Sequence, residues 1–144
     1  MKVRTMLAQK GDRILTIKTD ATIASAIEIL KAEKIGALVA SDDGLTVQGI
    51  LSERDVVRGL VTHGPGLLNM RVAEFMTSAV KTCSLGDDIQ DIMSQMTRSR
   101  IRHLPVLDEG KLCGMISIGD VVKNRLEELE AEANALRDYV AGRT

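Results

Sequence analysis

Two short stretches of the chain carry the same potential chemistry. They read Gly49-Ile50-Leu51-Ser52-Glu53-Arg54-Asp55 and Gly114-Met115-Ile116-Ser117-Ile118-Gly119-Asp120, and each runs on into Val-Val. In both, an apolar run gives way to Ser-x-x-Asp. Serine is a good helix N-cap, and an acid three residues later closes a capping box. The same geometry suits a ligand. A helix N-terminus presents backbone N–H groups and a positive dipole end to a phosphate. A serine hydroxyl can donate to a phosphate oxygen, and an ionised aspartate has two acceptor oxygens for the two adjacent hydroxyls of a ribose. Cap and ligand roles are compatible, because the serine can cap when no ligand is bound.

Other candidate chemistry is weaker. Asp42, Asp43, Asp108 and Glu109 flank Gly44 and Gly110 at matching places, so turn formation accounts for them. Asp87-Asp88 reads as a helix start. Cys83 and Cys113 lie far apart in apolar stretches, and the histidines are only His63 and His103, so no zinc or other metal site is expected. No nucleophile stands with a base and an orienting group, and no Gly-rich loop with lysine is present to cradle phosphates. The expectation is a protein that is not an enzyme.

The elements that must position these residues form a repeat. Ile23, Ala26, Ile27 and Leu30 match Ile89, Ile92, Met93 and Met96, an apolar stripe at helical spacing in both halves. Ile35 then falls on Ile101 and Leu38 on Leu104, and after a one-residue gap Gly49 falls on Gly114. Strands are predicted at Ile14–Ile17, Gly36–Ala40 and Val47–Leu51, and again at Val80–Cys83, Leu104–Leu107 and Leu112–Ile116. Helices are predicted at Thr22–Glu33 and Asp88–Arg98, with a further helix from each Ser-x-x-Asp. Each half is therefore β-α-β-β-α, too small to be robust alone, and two copies packed together make an α+β sandwich. The predicted divisions are residues 1–62, a Gly/Pro linker at 63–71, a second repeat at 72–125 and a C-terminal helix at 126–144. Val3–Leu7 and Val72–Met76 lead into the two repeats. In the tail Val122, Leu126, Leu129, Ala133, Leu136 and Val140 recur at 4-3-4-3-4 spacing. That stripe fits an amphipathic helix packed on its own domain, or one that pairs with a second subunit.

Composition narrows the partners. The chain has 144 residues with 19 basic and 20 acidic side chains, so no global field draws it to nucleic acid or an anionic membrane. No apolar run approaches a membrane span, and the N-terminus has no secretory pattern, which gives a cytoplasmic default. With one Phe, one Tyr and no Trp, any base would sit between aliphatic side chains.

Two β-α-β-β-α repeats that each end in Gly-apolar-apolar-Ser-x-x-Asp resemble a pair of CBS domains, the family named for cystathionine β-synthase. The resemblance covers residues 1–125. It implies a disc-like pair whose two clefts take an adenosyl ligand: AMP foremost, or ADP, ATP, NAD(H) or S-adenosylmethionine. It implies Asp55 and Asp120 as ribose ligands and Ser52 and Ser117 as phosphate neighbours. Arg102 and His103 stand where related pairs supply basic phosphate contacts, whereas the first repeat has Gly36 and Ala37 there. On this reading the cleft containing Asp120 holds phosphate more strongly, with Arg54 a partial substitute in the first motif. Thr82 and its equivalent Thr16 are candidates for base or phosphate contacts. The implied role is a regulatory module whose partners are a second copy of itself and a regulated protein; the alternative is an assembly module with degenerate clefts.

Overall fold

The computed structural model describes residues 1–11 and 14–142. In chain order the elements are α1 (Val3–Lys10), β1 (Thr16–Ile17), α2 (Ile23–Glu33), β2 (Ala37–Ala40), β3 (Gly49–Ser52) and α3 (Glu53–His63). A 3₁₀ turn (Gly64–Asn69) follows, then α4 (Val72–Phe75), β4 (Cys83–Ser84), α5 (Ile89–Ser99), β5 (His103–Asp108), β6 (Lys111–Ser117) and α6 (Ile118–Val140). Two three-stranded sheets result, ordered β1-β2-β3 and β4-β5-β6, each with one parallel and one antiparallel pairing. This is the α+β pair expected from the repeat.

Local chemistry explains the elements. α2 buries Ile23, Ala26 and Leu30, and its N-cap Thr22 accepts from the Ser25 N–H at 3.2 Å. α5 buries Ile89, Ile92 and Met96, the matching stripe. The first sheet's inner strand is apolar throughout, with Ala37, Leu38, Val39 and Ala40 all buried, and the second buries Leu104, Pro105 and Val106. The first strand of each repeat is shorter than predicted. Only Thr16–Ile17 and Cys83–Ser84 reach a partner, against Val39–Ala40 and Val106–Leu107. Ile14, Leu15 and Val80–Thr82 precede the ladder, and Thr82 lies just outside β4.

The cores do not follow the linear division of the chain. Helix α1 leads the first repeat, yet Val3, Met6 and Leu7 pack with Ile89, Ile92 and Ile116 of the second. Its backbone is tied there too, Val3 N–H to Asp87 O at 2.9 Å and Arg4 N–H to Leu85 O at 3.0 Å. Conversely Val72 of α4 packs with Ile23, Leu38 and Leu51 of the first repeat. Val72 N–H donates to Ala21 O at 2.8 Å, and Ala73 N–H to Thr19 O at 2.9 Å. The lead-in helices are exchanged, so neither repeat completes its core alone.

The Gly/Pro segment at 63–71 is likewise no free linker. Its Leu67 is fully buried in the first core, and Ile23 N–H donates to Met70 O at 2.9 Å. The C-terminal helix expected at 126–144 continues the second repeat's last helix without a break, as α6. Within it Val121 and Asn124 are buried, and residues 129–140 are exposed. Arg143 and Thr144 fall outside the described residues.

Gly49 and Gly114 mark the tightest approach between exchanged segments and sheets. A Cβ at Gly49 would lie 2.5 Å from Met76 Sδ, and one at Gly114 would lie 2.8 Å from the Leu7 methyl carbons. A side chain at either place would have to displace Met76 or Leu7, which glycine avoids.

Candidate functional site

Both Ser-x-x-Asp motifs fold as capping boxes. Asp55 Oδ2 accepts from Ser52 N–H at 2.8 Å and from its hydroxyl at 3.1 Å, while Asp55 N–H faces Ser52 Oγ at 3.4 Å. Asp120 Oδ2 accepts from Ser117 N–H at 2.9 Å, and Asp120 N–H donates to Ser117 Oγ at 3.2 Å. The next amide of each helix is also taken: Glu53 N–H donates to Gly36 O at 3.0 Å and Ile118 N–H to Arg102 O at 2.8 Å. Little of either helix terminus is left for an anion, so a phosphate here depends on cationic side chains rather than on backbone amides.

Two clefts lie between the repeats, and each joins the Ser-x-x-Asp of one repeat to the strand start of the other. The larger, about 630 Å³, has Ser52, Arg54, Asp55 and Arg58 on one side and Val80, Lys81, Arg100, Arg102 and His103 on the other. The smaller, about 370 Å³, sets Ser117 and Asp120 against Ile14, Leu15, Lys34 and Gly36. Both volumes suit small-molecule sites, which run from about 300 to 1,000 Å³.

The set grouped from the sequence is therefore divided. Arg102 lines the cleft of Asp55, and Asp120 lines the other. His103 and Ser117 border both clefts. The physical reason is the packing of the repeats face to face: the start of β5, bonded to the start of α6, also faces α3, so Arg102, His103 and Ser117 line the Asp55 cleft while Asp120 lines the other. Arg54 lies with Asp55 and Ser52 as grouped. Thr16 and Thr82 line neither cleft; the residues just before them do.

Charge separates the two clefts. The Asp55 cleft holds five cationic side chains, Arg54, Arg58, Lys81, Arg100 and Arg102, against the carboxylates Glu53 and Asp55. Among the described residues Asp55 forms no ion pair. Its aliphatic walls are Ile50, Val80, Ile101 and Ile118. In the other cleft Asp120 is bound by Lys10, whose Nζ lies 2.7 Å from Oδ2 and also donates to Met115 O at 2.9 Å. Burial opposes ionisation of Asp120, but the bonds from Lys10 and Ser117 outweigh it and hold the carboxyl below its ordinary value.

His103 sits between the clefts. Burial holds its imidazole below the ordinary 6.5; Lys10 and Arg102 act the same way, and Glu53 and Asp120 oppose them. A Cβ on Gly36 would come within 3.2 Å of its ring, so the glycine makes room for it. The residues sequence reading missed are Lys10, Lys34, Arg58, Lys81 and Arg100. A signal for Lys81 existed: it stands opposite Leu15 in the repeat, a change from apolar to basic. Lys10 left none, because its partner comes from the exchange of lead-in helices.

Cys83 is buried, and burial, with Asp87 and Cys113 adding, pushes its thiol up to about 12, which makes it inert as a nucleophile. Among the described residues no three His, Cys, Asp or Glu side chains are grouped to hold a metal, and no helix is long and apolar enough to cross a membrane.

Comparison with known proteins agrees with this architecture. The sequence profile of the CBS domain matches twice, over residues 11–62 and 72–127. The crystal structure of the CBS-domain containing protein ATU1752 from Agrobacterium tumefaciens is 41% identical. It superposes with a TM-score of 0.83 over 87% of this chain and 99% of that one. The CBS domain-containing protein CBSX3, mitochondrial, of Arabidopsis thaliana is 33% identical over 86% of this chain; the chain spans 62% of its length. A CBS domain pair of protein MJ0100, solved in complex with 5′-methylthioadenosine and S-adenosyl-L-methionine, is 20% identical with a TM-score of 0.78 and shares the fold. Matched in both repeats, and alike in fold and sequence to a solved CBS-domain protein over nearly its whole length, the chain belongs to the CBS domain family as a tandem pair.

Proposed function

We propose that this pair is a regulatory module that binds one phosphorylated adenosyl nucleotide in the Asp55 cleft, with AMP the first choice and ADP, ATP and NAD(H) sharing the same end. Asp55 takes the ribose hydroxyls, the aliphatic walls take the adenine, and Arg58, Lys81, Arg100 and Arg102 take phosphate. His103 and Ser52 lie beside them. The observation that carries this reading is the meeting of five cations with an unpaired aspartate in one cleft. The pair of MJ0100, of the same fold, is described with adenosyl ligands. Those ligands carry no phosphate, and S-adenosylmethionine carries a sulfonium. Five cations disfavour that positive centre and favour a nucleotide phosphate.

On this proposal the protein has no turnover of its own. Its output passes to a regulated protein or to its own assembly, in the cytoplasm, through the difference in ligand affinity between two states. A homodimer is part of the proposal: α3 exposes Val57, Leu60 and Val61, and α6 exposes Val122 and Leu126 at matching places in the repeat.

The test is calorimetric titration and thermal shift with AMP, ATP, NADH and S-adenosylmethionine. Nucleotides are expected to raise the Tm and S-adenosylmethionine to raise it less. Asp55→Ala is expected to weaken AMP about 10- to 100-fold, equivalent to about 1.5–3 kcal/mol for bonds to a charged group. Asp120→Ala is expected to cost less, the reverse of the order read from sequence. Flat responses to all the nucleotides at millimolar concentration would sink the proposal. They would favour an assembly module with empty clefts, a reading supported by the capping boxes, which give both serines and both aspartates a structural role.

A further inference from the structure

The two clefts are built alike but are not equally open, and Lys10 makes the difference. Leu7 fills the space against Gly114 as Met76 fills it against Gly49. Beyond that point the two segments diverge: α1 continues as helix to Lys10, which lines the Asp120 cleft, whereas α4 ends at Phe75 and the chain after it bridges to β3 through Thr77 and Ile50. The Asp120 cleft thus has an ammonium on its carboxylate, whereas among the described residues Asp55 has no ion pair. That ammonium donates to Asp120 Oδ2 at 2.7 Å and to Met115 O at 2.9 Å, and so stands where a ribose diol would have to approach the carboxylate. The pair is partly sheltered, with side-chain exposures of 38% for Lys10 and 25% for Asp120, so water screens it less than a surface ion pair.

We propose that Lys10 is a built-in plug of the second cleft, so that the tandem pair takes one nucleotide rather than two. Helix α1 carries the plug across from the other repeat, anchored by Val3, Met6 and Leu7 in the second core. Lys10 sits on the last turn of α1, where a cation is favoured by the helix dipole, so its position costs the helix nothing. Removing the ammonium frees the Asp120 carboxylate and, among the described residues, leaves Lys34 as the cation lining that cleft. The second site, once opened, is therefore weaker than the first.

This inference rests on the nucleotide reading above, and the experiment separates the two. AMP is titrated calorimetrically into the full chain and its variants, each checked for folding by circular dichroism. The wild type is expected to bind one AMP per chain and Lys10→Met two, the second more weakly. Lys10→Arg, which keeps the ion pair, is expected to stay at one. Asp55→Ala with Lys10→Met is expected to keep a single, weak site. Two sites in the wild type, or one in Lys10→Met, overturns the plug and leaves the nucleotide reading standing. No AMP bound by either protein overturns both.

Discussion

Lys34 and Arg100 occupy the same place in the two repeats, and both carry φ 54° at the C-cap of a helix. That left-handed conformation is usually given to glycine, since a side chain there costs about 1–2 kcal/mol. Both residues are basic, and each lines a cleft. Strain kept by charged residues on a cleft wall points to use of the charge rather than of the turn. Arg100→Gly is therefore expected to stabilise the fold by about 1 kcal/mol while weakening AMP binding. Urea denaturation measures the first effect and titration the second. A variant that binds AMP undiminished would remove Arg100 from the phosphate site.

Among the elements, the 3₁₀ turn at Gly64–Asn69 departs furthest from its appearance in the sequence. Glycine and proline suggest a tether, but Leu67 is fully buried beneath α3, close enough that a Cβ on Gly59 would meet its methyl carbon at 2.7 Å. Leu67→Ala is expected to cost about 2–5 kcal/mol, the ordinary loss for a core leucine, read from chemical denaturation. A tether residue would cost almost nothing. The exchange of α1 and α4 has the same consequence at a larger size. Each repeat lends a helix to the other's core, so the halves are expected to unfold together in one transition.

For the whole molecule the open question is what covers the apolar faces of α3 and α6. Val61 is 84% exposed and Leu126 62%, on helices that each bury their opposite side in a core. A second copy presenting the same faces satisfies both at once, which is how two-fold interfaces form. Sedimentation equilibrium is expected to give a dimer at micromolar concentration, and Val61→Glu with Leu126→Glu a folded monomer. A wild-type monomer would leave these faces to a different protein. In a dimer the nucleotide has a route to an output, because α3 begins at Ser52 and Asp55 in the cleft and ends at this face.

The sequence by itself determined the repeat, the two helices of each β-α-β-β-α unit, the hairpins and both Ser-x-x-Asp caps. These are set by neighbours in the chain: an apolar period, a turn residue, a side chain that bonds its own backbone three residues away. It also determined which residue types were available, so Asp55, Arg102 and His103 were legible as candidates. Tertiary structure alone decided their company. Arg102 joined Asp55 rather than Asp120, because face-to-face packing puts each strand start opposite the other repeat's helix. Lys10 reached Asp120 across 110 residues of chain, because α1 completes its hydrophobic burial in the second core and not in its own. Such pairings follow from burying apolar surface that neither repeat covers alone, and nothing in local sequence encodes them. The two motifs look interchangeable in the chain; in the folded molecule one aspartate is left open among cations and the other is held by lysine.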